Sequence, residues 1–241
     1  CIGEVLKSLE ESGLAKETLV IVTSDNGCSP QADFAELLAK EHNPSHHFRG
    51  TKADIYEGGH RVPFIARFPG RTAAGSTSSQ LVCLTDLLAT AAELVGGKLP
   101  AEAGEDSYSF SAALAGKESP QARHAIVHHS INGSFAIREK HWKLSLCPGS
   151  GGWSKPRPRQ DDVSGQPLVQ LFDLAQDIGE KKNLAEEQPT KVQELQALLQ
   201  TYVSEGRSTP GAKQANAKEV DVLQAGKAAH EPVKPMGKKK G

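Results

Sequence analysis

Two neighbouring side chains with oxygen donors follow a short apolar run near the start of the chain. Asp25 and Asn26 come directly after residues 19–23 (Leu-Val-Ile-Val-Thr), and Gly27 permits a sharp turn behind them. Carboxylate and amide oxygens are the ligands that calcium and magnesium prefer. An Asp-Asn-Gly run is also a common turn, so a metal site and a simple turn both remain open. A position just after a buried strand favours the site.

A second group of charged residues lies within residues 48–63. Arg49 and Lys52 stand close to glycines, and fixed cations beside a flexible backbone suit the binding of a tetrahedral oxyanion such as sulfate or phosphate. Glu57 and Arg61 flank two glycines and could pair as a structural clamp. A solvated charged loop is an equally good interpretation of the same residues.

Histidines and a tryptophan in the second half could reach a substrate. His128 and His129 are neighbours on a predicted strand, where successive side chains face opposite sides, so one buried and one exposed histidine is the simpler interpretation. Proton donation or binding of a sugar hydroxyl is the functional one. Trp153, in a glycine-rich loop, could stack on a sugar ring or cover a core. Three histidines precede Lys52, and spacing does not choose which lines a pocket: His42, His46 and His47.

The elements that would position these residues change character along the chain. The first part alternates helical and strand patterns, which is typical of an α/β fold and predicts a parallel-sheet strand buried on both faces at residues 19–23. The second part has short strand patterns followed by a helical one, with Asn132-Gly133 as a hairpin signal. We therefore predict an α/β fold, mixed sheet flanked by helices, in three parts: an α/β part at 1–100, which the resemblance described below identifies as the C-terminal part of a catalytic domain, a small α+β subdomain at 101–205 and a disordered basic tail at 206–241.

Composition excludes several classes of protein. The 241 residues carry 28 Lys+Arg and 29 Asp+Glu, and this near-neutral balance argues against nucleic acid as a partner. No apolar run approaches the roughly 18 residues of a membrane span. The three lysines at 238–240 are typical of a solubilising terminus. The four cysteines show no zinc-binding spacing.

Taken together, the motifs resemble the sulfatase family (arylsulfatase-like, with the alkaline-phosphatase superfold). They stand in the family's order and roughly its spacing over residues 2–203. The matching stretches are Ser-Asp-Asn-Gly at 24–27, Arg-Gly-Thr-Lys at 49–52, Tyr-Glu-Gly-Gly-His-Arg-Val-Pro at 56–63, Thr-Asp-Leu-Leu-Ala-Thr at 85–90 and the Leu-Phe-Asp-Leu stretch that continues to Asn-Leu at 171–184.

The resemblance implies a site and a substrate. Asp25 and Asn26 would be two ligands of the divalent cation, usually calcium. Lys52 would contact the sulfate and stabilise charge on the ester oxygen, whereas Glu57 and Arg61 would be structural. The substrate would be a sulfated small molecule or carbohydrate, and the protein would be periplasmic or secreted.

The family's nucleophile does not occur in this sequence. It is a formylglycine made from the Cys or Ser of a C/S-x-P-S-R motif, and none of the four cysteines has that context. We therefore expect the C-terminal portion of a sulfatase, inactive by itself, with the formylglycine in a missing N-terminal part. Two rivals remain: a phosphodiesterase or phosphonate hydrolase of the same superfold, which Thr or Ser with two metals would favour, and a fragment without catalytic function.

Overall fold

The structure is a computed structural model that describes residues 1–119 and 121–230. These residues form antiparallel sheets flanked by helices, and the prediction of an α/β fold is confirmed. The elements in chain order are α1 (Ile2–Glu11), β1 (Val20–Thr23), α2 (Phe34–Ala39), α3 (Glu57–His60), β2 (Phe64–Arg67), α4 (Asp86–Leu94), α5 (Ser111–Leu114), β3 (Ala125–His129), β4 (Phe135–Glu139), β5 (Trp142–Ser145), β6 (Gln170–Asp173), α6 (Pro189–Glu205) and α7 (Gln224–His230).

The chain divides into two compact units. The first comprises Cys1–Asp25, Pro63–His124 and Glu205–Gln214, and the second comprises Asn26–Val62, Ala125–Ser204 and Ala215–Gly241. The linear division expected at residue 100 differs from this partition, because the segment that carries Lys52 clusters with the later sheet rather than with the strand before it.

The first unit contains a two-stranded sheet. Strands β1 and β2 pair antiparallel, with Val20 opposite Arg67. Residues 20–22 are half-buried and Thr23 is exposed. The predicted parallel strand buried on both faces is therefore not found among the described residues. β-Branched residues favour an extended chain, but the direction and burial of a strand depend on the segment that pairs with it.

A buried ion pair holds the start of α4 in the first unit. The Asp86 carboxylate accepts the backbone N–H groups of Cys83 at 2.8 Å and Tyr108 at 2.9 Å, and Arg123 Nε donates to it at 3.1 Å. The sequence predicts Thr85 or Asp86 as the N-cap. The N-cap is Thr85, whose side chain makes no capping bond, and Asp86 satisfies backbone donors before the helix instead.

The second unit is built on a four-stranded antiparallel sheet in the order β3-β4-β5-β6. The hairpin predicted at Asn132-Gly133 joins β3 to β4, with Gly133 at φ +85° and the Asn132 side chain accepting the N–H of Ser134. One face of the sheet packs against α6. The buried residues of that core are Ala125, Ile137, Leu144, Leu146, Leu171, Leu195 and Leu199.

The described part of the segment after residue 205 contains a helix. Residues 206–230 are described, and α7 lies in the second unit with Ala229 buried. A side chain at Gly226 would place its Cβ 2.2 Å from the carbonyl oxygen of Leu146, so the helix packs directly on that backbone. Val222 and Leu223 pack against the core of the second unit, whereas the sequence predicts a disordered tail over 206–241. Residues 231–241, with the three terminal lysines, lie outside the described residues.

None of the helices described is both long and apolar enough to cross a bilayer.

Candidate active site

Asp25 and Asn26, the two residues with side-chain oxygens, lie just beyond the end of β1. Asp25 is exposed, and its Oδ1 accepts the Ser24 hydroxyl at 3.5 Å. Asn26 is half-buried and donates through Nδ2 to the carbonyl of Gly27 at 3.0 Å. Asp25 is the last residue of the first unit in this part of the chain and Asn26 the first of the second.

Backbone hydrogen bonds join the strip that begins at Asn26 to the segment that carries Lys52. The N–H of Lys52 donates to the carbonyl of Cys28 at 2.9 Å, and the N–H of Gly27 donates to Gly59 at 3.0 Å. A Cβ on Gly27 would lie 1.7 Å from the carbonyl oxygen of Gly58, so only glycine allows this approach. Within the second unit, Asn26 and Lys52 therefore belong to one backbone assembly, although they are far apart in sequence.

The turn around Lys52 has an unusual backbone. Gly50 lies at φ +80° and Ala53 at φ +81°, the second of which is strained for a residue with a side chain. The Ser45 hydroxyl donates to the Gly50 carbonyl at 3.0 Å, and the N–H of Thr51 donates to Asp54 Oδ2 at 2.8 Å. Lys52 itself is half-buried. These bonds hold its backbone in one conformation.

Asp54 is a site residue that the sequence analysis missed. It is fully buried, and its Oδ1 accepts the N–H groups of Trp153 at 2.8 Å and Ser154 at 2.9 Å. The Ser154 hydroxyl donates to Oδ2, which also holds Thr51. A buried carboxylate needs such donors. The sequence signal was indirect: a glycine-rich loop able to bring several backbone N–H groups to one point.

Glu57 is the centre of a buried group of charges. Its carboxylate lies 3.2 Å from Lys143 Nζ, 2.9 Å from Arg138 and 3.4 Å from Arg61, so the predicted Glu57–Arg61 pair is present. Burial opposes the ionisation of Glu57, but the positive charges of Lys143 and Arg138 outweigh it and hold its pKa below the usual value. The Glu57 carboxylate is therefore ionised, and it holds three cationic side chains together.

Glu180 fastens the Lys52 segment at two points. Its Oε2 accepts the N–H of Glu57 at 2.6 Å, and its backbone carbonyl accepts Arg49 Nη1 at 2.7 Å. The Arg49 guanidinium lies 3.9 Å from the ring centre of Tyr56. Burial raises the pKa of Glu180, and Lys143, 2.9 Å from its Oε1, opposes that rise. Arg49, before Lys52, and Glu57, after it, are therefore both held by Glu180.

His60 and His128 form a pair of half-buried imidazoles whose Nε2 atoms are enclosed. Their ring centres are 4.3 Å apart, and neither Nε2 has a hydrogen-bond partner among the described residues. Burial, with the nearby positive charge of Lys143, lowers the pKa of His60 to about 4. Burial likewise lowers the pKa of His128 well below its ordinary value. Both rings are neutral near pH 7.

The remaining predicted site residues lie nearer the surface. His129 is exposed, with its ring centre 4.2 Å from that of Phe135. His128, its neighbour on β3, is half-buried with its Nε2 enclosed. The Trp153 side chain is 36% exposed. His42, His46 and His47 are all exposed, and the rings of the last two lie 3.8 Å apart.

Asp25 and Asn26 fit a calcium ion in chemistry but not in number. Calcium takes six to eight oxygen ligands, and these residues offer one carboxylate and one amide. In the part of the chain that the structure describes, no group of three or more His, Cys, Asp or Glu residues is placed to hold a metal. Asp25 and Asn26 would therefore need further ligands to hold calcium.

Comparison with known proteins identifies relatives of one kind. Residues 1–97 match the family model described as Sulfatase. The chain is 32% identical over 206 residues to an N-acetylgalactosamine-6-O-sulfatase of Bacteroides thetaiotaomicron, a match that covers 83% of this chain and 39% of that protein. It is 32% identical over 195 residues to arylsulfatase A of Bos taurus, covering 76% and 36% of the two chains.

Solved structures agree in fold. A sulfatase structure from work on glycosaminoglycan metabolism by Bacteroides thetaiotaomicron superposes with a TM-score of 0.70 at 32% identity, covering 83% of this chain and 42% of the other. A structure solved with its substrate D-glucosamine-2-N,6-O-disulfate has a TM-score of 0.61 at 24% identity over 83% and 37% of the two chains, and shows the fold alone.

The chain spans 39% and 36% of the length of these two curated relatives, so it corresponds to a part of them. The matches include the motifs around Asp25 and Lys52 on which the sequence resemblance rests. The chain belongs to the sulfatase family.

Proposed function

We propose that the protein containing this chain hydrolyses sulfate esters and that Lys52 contacts the sulfate. The observation that supports this most is the backbone assembly that ties the Lys52 turn to the strip beginning at Asn26. A lysine held on a rigid turn is a preorganised positive charge, and such a charge stabilises a transition state without a cost of reorganisation. In this proposal Lys52 neutralises the charge that develops on the ester oxygen as the S–O bond breaks.

Asp25 and Asn26 would hold a calcium ion together with ligands from elsewhere in the protein. When bound, such an ion polarises the sulfate. The nucleophile would be a formylglycine outside this chain, which is why we expect the 241-residue chain alone to be inactive. Export to the periplasm or secretion stays a prediction from the resemblance.

The substrate would be a sulfated small molecule or carbohydrate. One relative is named for an N-acetylgalactosamine 6-O-sulfate, and a fold neighbour was solved with a sulfated glucosamine. We assign His128, His129 and Trp153 to the binding of the rest of the substrate. The exposure of His129 and Trp153 supports direct contact, whereas the buried Nε2 of His128 supports a role behind the surface.

Substitution of Lys52 in the intact enzyme tests the proposal. We expect Lys52→Ala to lower kcat for an aryl sulfate by about 10²-fold or more, because a charge-stabilising group is lost. Lys140→Ala, at an exposed lysine, is the matched control. An unchanged kcat in Lys52→Ala would remove Lys52 from the mechanism, and preferential hydrolysis of a phosphodiester by the wild type would support the phosphodiesterase rival.

Two further measurements separate the parts of the proposal. Asp25→Ala should weaken calcium binding in a titration of the intact protein, and unchanged affinity would contradict its role as a ligand. Turnover of an aryl sulfate by the purified 241-residue chain would contradict the expectation that the nucleophile lies elsewhere.

A further inference from the structure

The buried carboxylate of Asp54 joins two loops that are distant in sequence. On one side it holds the N–H of Thr51, the residue before Lys52, at 2.8 Å. On the other it holds the N–H groups of Trp153 and Ser154 at 2.8 and 2.9 Å. No positively charged side chain pairs with it among the described residues, so its bonds to neutral donors fix backbone positions rather than neutralise charge.

The loop that carries Trp153 is built for close approach to the Lys52 turn. A Cβ on Gly152 would lie 2.4 Å from the carbonyl oxygen of Ala53, and Gly151 lies at φ +61° with its Cβ position 2.6 Å from the Ser130 hydroxyl. The Ser150 carbonyl accepts the N–H of Ile55 at 2.8 Å. The two loops therefore contact each other backbone to backbone, with no room for side chains between them.

One large side chain of this loop remains at the surface. Ser150, Gly151 and Gly152 are buried, but the Trp153 side chain is 36% exposed. Two cationic side chains that follow, Lys155 and Arg159, are exposed as well. An apolar ring on a rigid loop loses little conformational freedom when a ligand covers it. A ligand that matches these features has an apolar ring face and negative charge.

We propose that Trp153 is the platform on which the sugar ring bearing the sulfate ester stacks, and that Asp54 is the positioning residue that sets Trp153 relative to Lys52. This inference rests on the proposed sulfatase function and narrows its substrate to sulfated saccharides. The pyranose C–H face suits an indole, and the sulfate suits the cation of Lys52. The exposed charges of Lys155 and Arg159 suit further sulfate or carboxylate groups on the same saccharide.

Kinetics of the intact enzyme test the platform. The substrate is whichever O-sulfated monosaccharide of a panel of hexosamines and uronic acids the wild type hydrolyses fastest, and inorganic sulfate serves as an inhibitor that has no ring. We expect Trp153→Ala to raise KM for the saccharide about tenfold, the value of one aromatic contact, and to leave the inhibition constant of sulfate unchanged. Trp153→Phe should retain most of the affinity. An unchanged saccharide KM in Trp153→Ala would overturn the platform.

The role of Asp54 needs a readout that general damage does not mimic. Asp54→Asn keeps the shape but replaces one acceptor oxygen by a donor that faces backbone N–H groups. We expect the effects of Asp54→Asn and Trp153→Ala on saccharide KM to be non-additive, because both misplace the same ring. Additive effects, or an equal loss of affinity for inorganic sulfate in the Asp54 variant, would overturn the positioning role.

The panel also separates this inference from the proposed function. Hydrolysis of aryl sulfates with no saccharide turned over would overturn the saccharide platform and leave the sulfatase proposal standing. Absence of turnover for every sulfate ester would overturn both.

Discussion

Lys143 shows how a single buried cation organises the candidate site. It has no exposed surface and lies 3.2 Å from Glu57 and 2.9 Å from Glu180, the two carboxylates that stabilise the segment bearing Lys52. Burial of a lysine is expensive unless carboxylates lie at such a distance from its Nζ. The contribution of Lys143 to stability is therefore large because its removal would leave the carboxylates of Glu57 and Glu180 together in the interior.

Replacement of Lys143 should be strongly destabilising. We expect Lys143→Met to lower the free energy of unfolding by about 3–5 kcal/mol, the usual cost of leaving a buried charge without its partner. Urea denaturation is the measurement, and the exposed Lys140→Met is the control. Addition of Glu180→Gln should recover part of the loss. A midpoint equal to that of the control would show that the cluster is not held by Lys143.

At the scale of elements, close packing rather than intrinsic backbone propensity determines the conformation of the glycine-rich loop at residues 149–153. Gly152 has a carbonyl oxygen at 2.4 Å and the Asp54 carboxylate at 2.5 Å from the position that a Cβ would take. One neighbour is the Ala53 backbone and the other is the Asp54 side chain, which is buried and hydrogen-bonded. A shift of either one would cost free energy in a closely packed interior. Any side chain at this position must displace the loop.

We therefore expect Gly152→Ala to cost about 1–3 kcal/mol of unfolding free energy, as overpacking does. It should also raise KM for a sulfated saccharide by moving Trp153. Gly165→Ala is the matched control, because nothing lies within 4 Å of its Cβ position, and its effect should stay within about 0.5 kcal/mol. Equal stability of the two variants would contradict the close contact between the loops.

At the scale of the whole molecule, His60 and His128, whose Nε2 atoms are enclosed, should make the free energy of unfolding depend on pH. Both pKa values are lowered in the fold, His60 to about 4, whereas an unfolded histidine has its ordinary value near 6.5. Between these values the unfolded chain binds more protons than the folded one, so stability falls as pH falls from about 6.5 to about 4. The raised pKa of Glu180 acts in the opposite direction at the lower end of this range.

Urea denaturation at a series of pH values measures this effect. Each neutral imidazole contributes a slope of at most about 1.4 kcal/mol per pH unit. His60→Gln should reduce the slope between pH 6.5 and about 4, because glutamine does not titrate; His42→Gln, at an exposed histidine, is the control for the substitution itself. A slope that His60→Gln does not alter would assign the pH dependence to other groups.

Local patterns determined much of this protein. The family resemblance, the Asp25-Asn26 turn after a strand, the hairpin at Asn132-Gly133 and the buried face of the last long helix all follow from neighbouring residues, because turn geometry and helical period are short-range properties. The tertiary structure decided the rest. The donors to Asp54 come from 99 and 100 positions away and the cation for Glu57 from 86. No local pattern specifies such a pairing, since a buried charge is stable only where the fold brings its partners.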